Sequence, residues 1–400
     1  MKILMLTPYL PYPLLSGGQI RTYNLLKKLA SKHQITLFAL IKDESEKQYI
    51  GELEKYCHKV RVFKRSKTPF TIRNILKTAV SSYPFLVIRN QATTAINAIK
   101  QELETENYDL IHAETFYMMP HLPEIKIPTI LVEQTIEYLG YENYAKKAPF
   151  FLKPILNIDV NKIRNWEKYY WQQADQLIVM SEDDKKFIAQ QIGRKNKIDV
   201  VANGVDNAWF NEKKRVKNKQ PTILSVGTFK WLPNKEAVDF LVSKIWPQVK
   251  KQIKEVKLLI VGNAPTEKVL GYGKNDAQIE VAGRVEDIRD AFKSSDVLLA
   301  PVFSGKGTRY KILEAMACST PVVASKIAVE GLAVKHGEHV LVSNNAQELA
   351  ALTIKVLTNQ KLWQKLSKNG KKFVKQNYDW QLISTKLDAI YQKIGKIKKH

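Results

Sequence analysis

Cysteine is nearly absent from this chain. Cys57 and Cys318 are the only two in 400 residues and stand far apart, which argues against a disulfide-stapled secreted domain and fits a reducing setting. Long apolar runs are also missing. No segment approaches the roughly 20 apolar residues that a membrane-spanning helix needs. The apolar opening ILMLTPYLPYPLL is interrupted by Pro8, Pro11 and Pro13, so it lacks the continuous helical core of a signal peptide, and Ile3 to Leu6 read as a buried strand. Acid is scarce beside base, 39 residues against 63, for a net charge of +24. Such an excess favours anionic partners. No zinc-finger spacing and no aromatic RNA-binding signature accompany it, so nucleic acid is not an expected partner. The expectation is a cytoplasmic chain, soluble or peripheral on the inner face of the cell membrane.

A hydrophobic content of 44% over 400 residues suits two packed cores rather than one. Short apolar strands alternate with helical patterns, which predicts parallel sheets with crossover helices. Strands are expected at 2–7, 35–40, 60–63, 110–113, 130–133, 177–180 and 199–202 in the first half. A second set is expected at 222–226, 258–261, 279–282, 297–300, 321–324 and 339–342. Two Rossmann-like α/β domains follow, with the boundary inside the polar, proline-terminated stretch Asn203 to Pro221. Near the C-terminus, Trp380, Leu382, Ile383, Leu387, Ile390 and Tyr391 are spaced to share one helical face.

Chemistry concentrates in APVFSGKGTRYKILEAMACSTPVVAS, residues 300–325. A buried strand ends there, Gly305 and Gly307 allow close approach of backbone, and a helix begins whose amides face the loop. Arg309 and Lys311 add positive charge, and Glu314 follows on the helix. Such a loop holds a phosphate with amide dipoles and cations and offers a carboxylate to sugar hydroxyls. The plainer alternative is an ordinary αβ loop with a buried capping pair.

The stretch KILEAMACSTPVVAS resembles the nucleotide-sugar signature of family 4 retaining glycosyltransferases (glycosyl transferases group 1), in a branch that carries Gly-Thr-Arg-x-Lys-x-x-Glu-Ala. The resemblance implies a GT-B fold, with two Rossmann-like domains whose parallel sheets face a central cleft. It places an acceptor domain at 1–205, a nucleotide-sugar donor domain at 206–377, and a last helix, about 378–400, packed back on the first domain. Glu314 takes the position of the carboxylate that binds the donor ribose. TPYLPYPLLSGGQIRTYNLLKKLA resembles the family opening, which makes Gly17 and Gly18 donor-contact candidates. SVGTFKWLPNKEAVDFL resembles the start of the nucleotide domain and brings in Gly227 and Lys230, and VAGRV brings in Arg284 near the base.

The chain departs from the family at five positions. Thr228 and Asn234 stand where relatives carry an Arg and a Lys on the pyrophosphate. Lys306 replaces the first Glu of the Glu–seven residues–Glu motif. Together these read as phosphate charge moved to the later loop, where Gly305, Gly307, Thr308, Arg309 and Lys311 gather, with Lys230 and Lys235 nearby. Gln134 stands where a His usually contacts the transferred sugar, and it cannot take up a proton near neutral pH. His112, at the end of LIHAE, is expected at the carboxyl edge of a strand and facing the cleft. His112, Gln134 and Lys306 are thus the candidate catalytic residues. Ser319 replaces a common glycine at a left-handed helix cap.

The resemblance implies metal-independent hexosyl transfer, with retention, from a UDP- or GDP-linked sugar to a glycan, lipid-linked or protein hydroxyl. No cofactor is expected, because the nucleotide sugar is a substrate, and no Asp-x-Asp metal motif is present. An epimerase on the same fold and a non-catalytic binding or scaffold protein are the alternatives. Phe150 to Lys168 and Thr71 to Arg89 mix aromatics with cations, which makes an anionic membrane surface a further candidate partner.

Overall fold

The computed structural model describes residues 1–193, 197–216, 218–305 and 310–397. Among the described residues, thirteen strands form two all-parallel sheets. The chain divides into one unit made of Met1–Ala202 with the segment from Ile383 on, and a second made of Asn203–Leu382.

The first unit carries β1 (Lys2–Thr7), β2 (Gln34–Ile41), β3 (Lys59–Lys64), β4 (Leu110–Glu114), β5 (Thr129–Glu133), β6 (Gln176–Val179) and β7 (Ile198–Val200). Their spatial order is β3-β2-β1-β4-β5-β6-β7. In register, Met5 pairs with both Leu37 of β2 and His112 of β4. The order reverses between β1 and β4, and ligands in open α/β sheets bind outside the carboxyl ends at that point. The central strands read as unbroken apolar runs because crossover helices cover both faces, and Ile3, Leu4, Met5 and Leu6 are fully buried.

The second unit repeats the scheme with β8 (Thr222–Val226), β9 (Lys257–Val261), β10 (Ile279–Gly283), β11 (Val297–Ala300), β12 (Val322–Ala324) and β13 (Leu341–Val342). Their order is β10-β9-β8-β11-β12-β13, so the reversal falls between β8 and β11. Ile223, Leu258, Ile260, Val297 and Leu299 share its core. Every expected strand is present, with ends shifted by up to two residues.

The last helix, Trp380–Ile397, buries Ile383, Leu387, Ile390 and Tyr391 in the first unit, where Asp388 meets Lys32 and His33 at 2.6 and 3.0 Å. Leu382, expected on this apolar face, is instead 48% exposed. In the second unit, a Cβ on Gly204 would lie 2.8 Å from the Trp380 ring, so only glycine fits beneath the indole.

Ser319 follows the helix Tyr310–Ala317 with φ of +65°. The left-handed conformation costs a residue with a Cβ about 1–2 kcal/mol, part of which glycine returns as unfolded-state entropy. Ser319→Gly should therefore raise the unfolding free energy by about 0.5–1 kcal/mol. Chemical denaturation tests this, and a loss of stability would contradict it.

Candidate functional site

In the first unit, the carboxyl ends of β1, β4 and β5 hold a continuous polar chain. The helix Gly17–Leu29 starts there, with Ser16 Oγ accepting the Gln19 N–H as its cap. A Cβ on Gly18 would stand 2.6 Å from Tyr9 Oη and 2.8 Å from Gln134 Oε1, so this helix start and Gln134 come together only around a glycine. Gln134 Nε2 donates to Tyr9 Oη and to Glu114 Oε2, both at 2.6 Å. Behind Gln134, Glu114 Oε1 lies 3.1 Å from His112 Nε2, and His112 Nδ1 lies 2.6 Å from Tyr391 Oη.

Burial pushes the Tyr391 hydroxyl well above its ordinary pKa, so it stays neutral beside His112 Nδ1. His112 donates from Nε2 to Glu114. Burial works against the Glu114 charge, but the His112 hydrogen bond and the Arg21 guanidinium hold its carboxyl below the usual range. His112 is 0% exposed and both ring nitrogens are engaged. The expectation of a cleft-facing histidine is therefore corrected: its reach is through Glu114 to Gln134. Neither Tyr9 nor Tyr391 was read from the sequence as a site residue, Tyr391 being placed only on the apolar face of the last helix. Tyr9 follows the end of β1 closely enough to have been found, whereas nothing local marks Tyr391.

A second group of carboxyls sits beside it. Glu167 is fully buried and accepts the backbone N–H groups of Glu137 and Tyr138 at 2.7 and 3.0 Å, closing the start of the helix Glu137–Lys147. Glu133 accepts the Trp171 indole N–H at 3.2 Å. Burial raises the pKa of Glu133 and of Glu167, and each carboxyl is opposed by a neighbouring one. Burial also pushes Glu137 up to about 7, although the Arg89 charge pulls it back.

In the second unit, the carboxyl ends of β8, β9 and β10 each carry a glycine. A Cβ on Gly262 would fall 1.7 Å from the Gly227 carbonyl oxygen, and one on Gly227 would fall 2.6 Å from Asn234 Cγ. The Gly262 N–H donates to Gly283 O at 2.7 Å, and Gly283 itself has φ of +64°. Asn234 Nδ2 donates to Thr228 O at 2.9 Å, and Lys311 Nζ donates to Asn234 Oδ1 at 3.0 Å. One turn along the same helix, Glu314 is half-buried and makes no side-chain hydrogen bond with the described residues. Burial pushes its pKa up to about 7, against the pull of Lys311.

Lys230 and Arg284 are exposed just beyond β8 and β10. Gly305 has φ of +89°, as a glycine turn allows. Lys306, Gly307, Thr308 and Arg309 lie outside the described residues. Of the expected donor residues, the structure thus gathers Gly227 and Lys311 around Asn234, with Glu314 on the Lys311 helix. Gly17, Gly18, Gln134 and His112 assemble separately in the first unit.

Solved structures share this architecture. The sucrose-phosphate synthase of Thermosynechococcus elongatus matches with a TM-score of 0.75 at 17% identity, over 100% of both chains. Anabaena HepE, solved with UDP and glucose, matches at 0.65 and 17% over 98% of this chain and 100% of that one. The fold is GT-B. The Glycosyltransferase Family 4 model matches residues 15–209, and the Glycosyl transferases group 1 model matches residues 220–359. The chain belongs to the glycosyltransferases that combine these two domains. A glycosyltransferase of Methanocaldococcus jannaschii is 25% identical over 99% of this chain and 99% of its own length. Among the described residues, no helix is long and apolar enough to cross a membrane.

The raised carboxyls predict a pH signature. A carboxyl whose pKa rises from 4.5 to about 7 on folding binds more protons folded than unfolded, so its contribution is lost as pH climbs through that window. Between about pH 5 and pH 8, Glu137→Gln should gain stability relative to the parent chain, measured by thermal unfolding. Parallel pH profiles for the two proteins would contradict this.

Proposed function

We propose that this chain transfers a hexose, with retention, from a nucleotide-diphosphate sugar to a hydroxyl of a glycan, lipid-linked or protein acceptor. The observation that carries the reading is Lys311 Nζ held 3.0 Å from Asn234 Oδ1 beside Gly227. Asn234 occupies the helix start where relatives carry a phosphate-binding Lys, and the amine of Lys311 reaches that spot from the other loop. Diphosphate charge would therefore be met by Lys311, with Lys306, Thr308, Arg309 and Lys230 joining it. Gly227, Gly305 and Gly307 let backbone come close. Glu314 supplies the acceptor for ribose hydroxyls, and Arg284 flanks the base.

Within the first unit, Gly17 and Gly18 offer helix N-terminal backbone to the donor diphosphate. Gln134 hydrogen-bonds the transferred sugar, and His112 acts as a positioning residue that fixes Gln134 through Glu114. The reading assigns no metal, because cations and helix dipoles can stabilise the leaving diphosphate. The complex of HepE with UDP and glucose makes uridine nucleotides the first donors to try.

Thermal shift against UDP, GDP, ADP and CMP tests the reading. One diphosphate series should raise the melting point, since a ligand that binds only the folded chain stabilises it. Lys311→Ala, Arg309→Ala and Glu314→Ala should each weaken that binding about tenfold or more, the loss expected for a charge-assisted hydrogen bond. No response to any nucleotide would overturn the donor site. Unchanged affinity in the Lys311 and Arg309 variants would overturn the relocation of charge.

A further inference from the structure

The first unit exposes a set of large apolar side chains in one neighbourhood. On the helix Ile72–Val80 the outward residues are Ile72, Ile75, Leu76 and Val80, spaced on one helical face, with Val80 89% exposed. Of its nine residues only Asn74 is buried, so the apolar face of this amphipathic helix points away from the core. Phe150, Phe151, Ile155 and Ile158 repeat the pattern at the start of the helix Lys153–Gln173, with Phe150 84% exposed. Single exposed apolar residues are ordinary, but contiguous patches mark interaction surfaces.

The two stretches are fastened to each other. Lys162 Nζ donates to Thr78 O and Ser81 O at 2.7 and 2.6 Å. Trp166 Nε1 donates to Ser82 O at 2.9 Å, and its ring stacks on Tyr83 with centroids 4.5 Å apart. The Phe85 N–H donates to Asp159 Oδ1 at 2.8 Å. A single surface therefore carries both apolar stripes.

Its charge is predominantly positive. Stretches 68–91 and 143–158 contain no acidic residue; of the acids flanking the second, Glu142 lies 3.6 Å from Lys146 and Asp159 accepts the Phe85 N–H. Arg73, Lys77, Lys146 and Lys153 are all exposed along them. Apolar side chains rimmed mainly by cations complement a bilayer interface with anionic headgroups, where apolar burial and electrostatic attraction add. A protein partner would require a matching acidic rim around an apolar groove, and a second copy of this chain would bring like charge to like charge.

We infer that Ile72–Val80 and the segment Phe150–Ile158 form a docking surface for an anionic phospholipid membrane. The surface lies on the first unit only and is independent of the sugar-transfer reading. Cosedimentation of the full chain with phosphatidylcholine vesicles, with and without phosphatidylglycerol, tests it. Binding should require phosphatidylglycerol and fall with added salt. The paired variants Leu76→Gln with Val80→Gln and Phe150→Ser with Phe151→Ser should each weaken it about tenfold or more, and Arg73→Gln with Lys77→Gln should weaken it by a similar factor. All six positions are exposed, so unchanged thermal unfolding is expected and serves as the folding control. Equal binding to neutral vesicles, no binding at all, or binding unaltered in every folded variant would each overturn the proposal. So would a dimer in solution that the Phe150→Ser with Phe151→Ser variant dissolves.

Discussion

Both units depend on a close approach of glycine backbone at the carboxyl edge of a parallel sheet, to other backbone in the second unit and to side chains in the first. At β8 and β9 the approach is so close that a methyl group on Gly262 would overlap the Gly227 carbonyl, 1.7 Å away. That contact sets the path of the chain leaving β8, and the path decides where Asn234 and the helix Leu232–Phe240 begin. With Asn234 fixed against Thr228 O, the Lys311 amine has a partner and the later loop is tied to the earlier one. In the first unit Gly18 plays the same part, since only a residue without Cβ lets the helix start close over Tyr9 and Gln134. Switch points in α/β sheets bind ligands because they leave such backbone open to approach.

Carboxylates in the first unit show how environment divides one residue type into two behaviours. Glu114 keeps its charge because a histidine, a glutamine and an arginine face it from three sides. Glu133, Glu137 and Glu167 face one another, and burial holds all three toward the protonated form. Glu167 softens its own cost by accepting two backbone N–H groups at a helix start, a favourable place for negative charge. The result is a fixed anion behind Gln134 and a nearby group of carboxyls that burial holds toward the neutral form.

Much of the fold was legible in the sequence. Strands buried on both faces appear as short runs such as ILML, LLIV and VLLA, which need no long-range information to recognise. Gly227 was singled out through the family resemblance of its segment, whereas Gly262, which makes the tightest approach, was not singled out. Side-chain partners across the sequence were not legible. His112 read as a strand-end histidine facing the cleft, and its burial follows from Tyr391, 279 residues away, which no local pattern could connect to it. Likewise Lys311 could be listed as a cation, but its bond to Asn234 depends on two loops that meet only once the second sheet has formed. Helical spacing marked the apolar face of the last helix, yet Leu382 is exposed between Trp380, buried in the second unit, and Ile383, buried in the first.

The most direct test of the account follows the sugar itself. The full chain is incubated with UDP- and GDP-linked α-hexoses, and the anomeric protons are tracked by NMR as water slowly replaces the acceptor. The account predicts that one donor is consumed, that the α-hexose appears before mutarotation, and that Glu314→Gln slows the reaction. A donor that binds but persists unchanged would contradict glycosyl transfer, and initial release of the β-hexose would contradict retention.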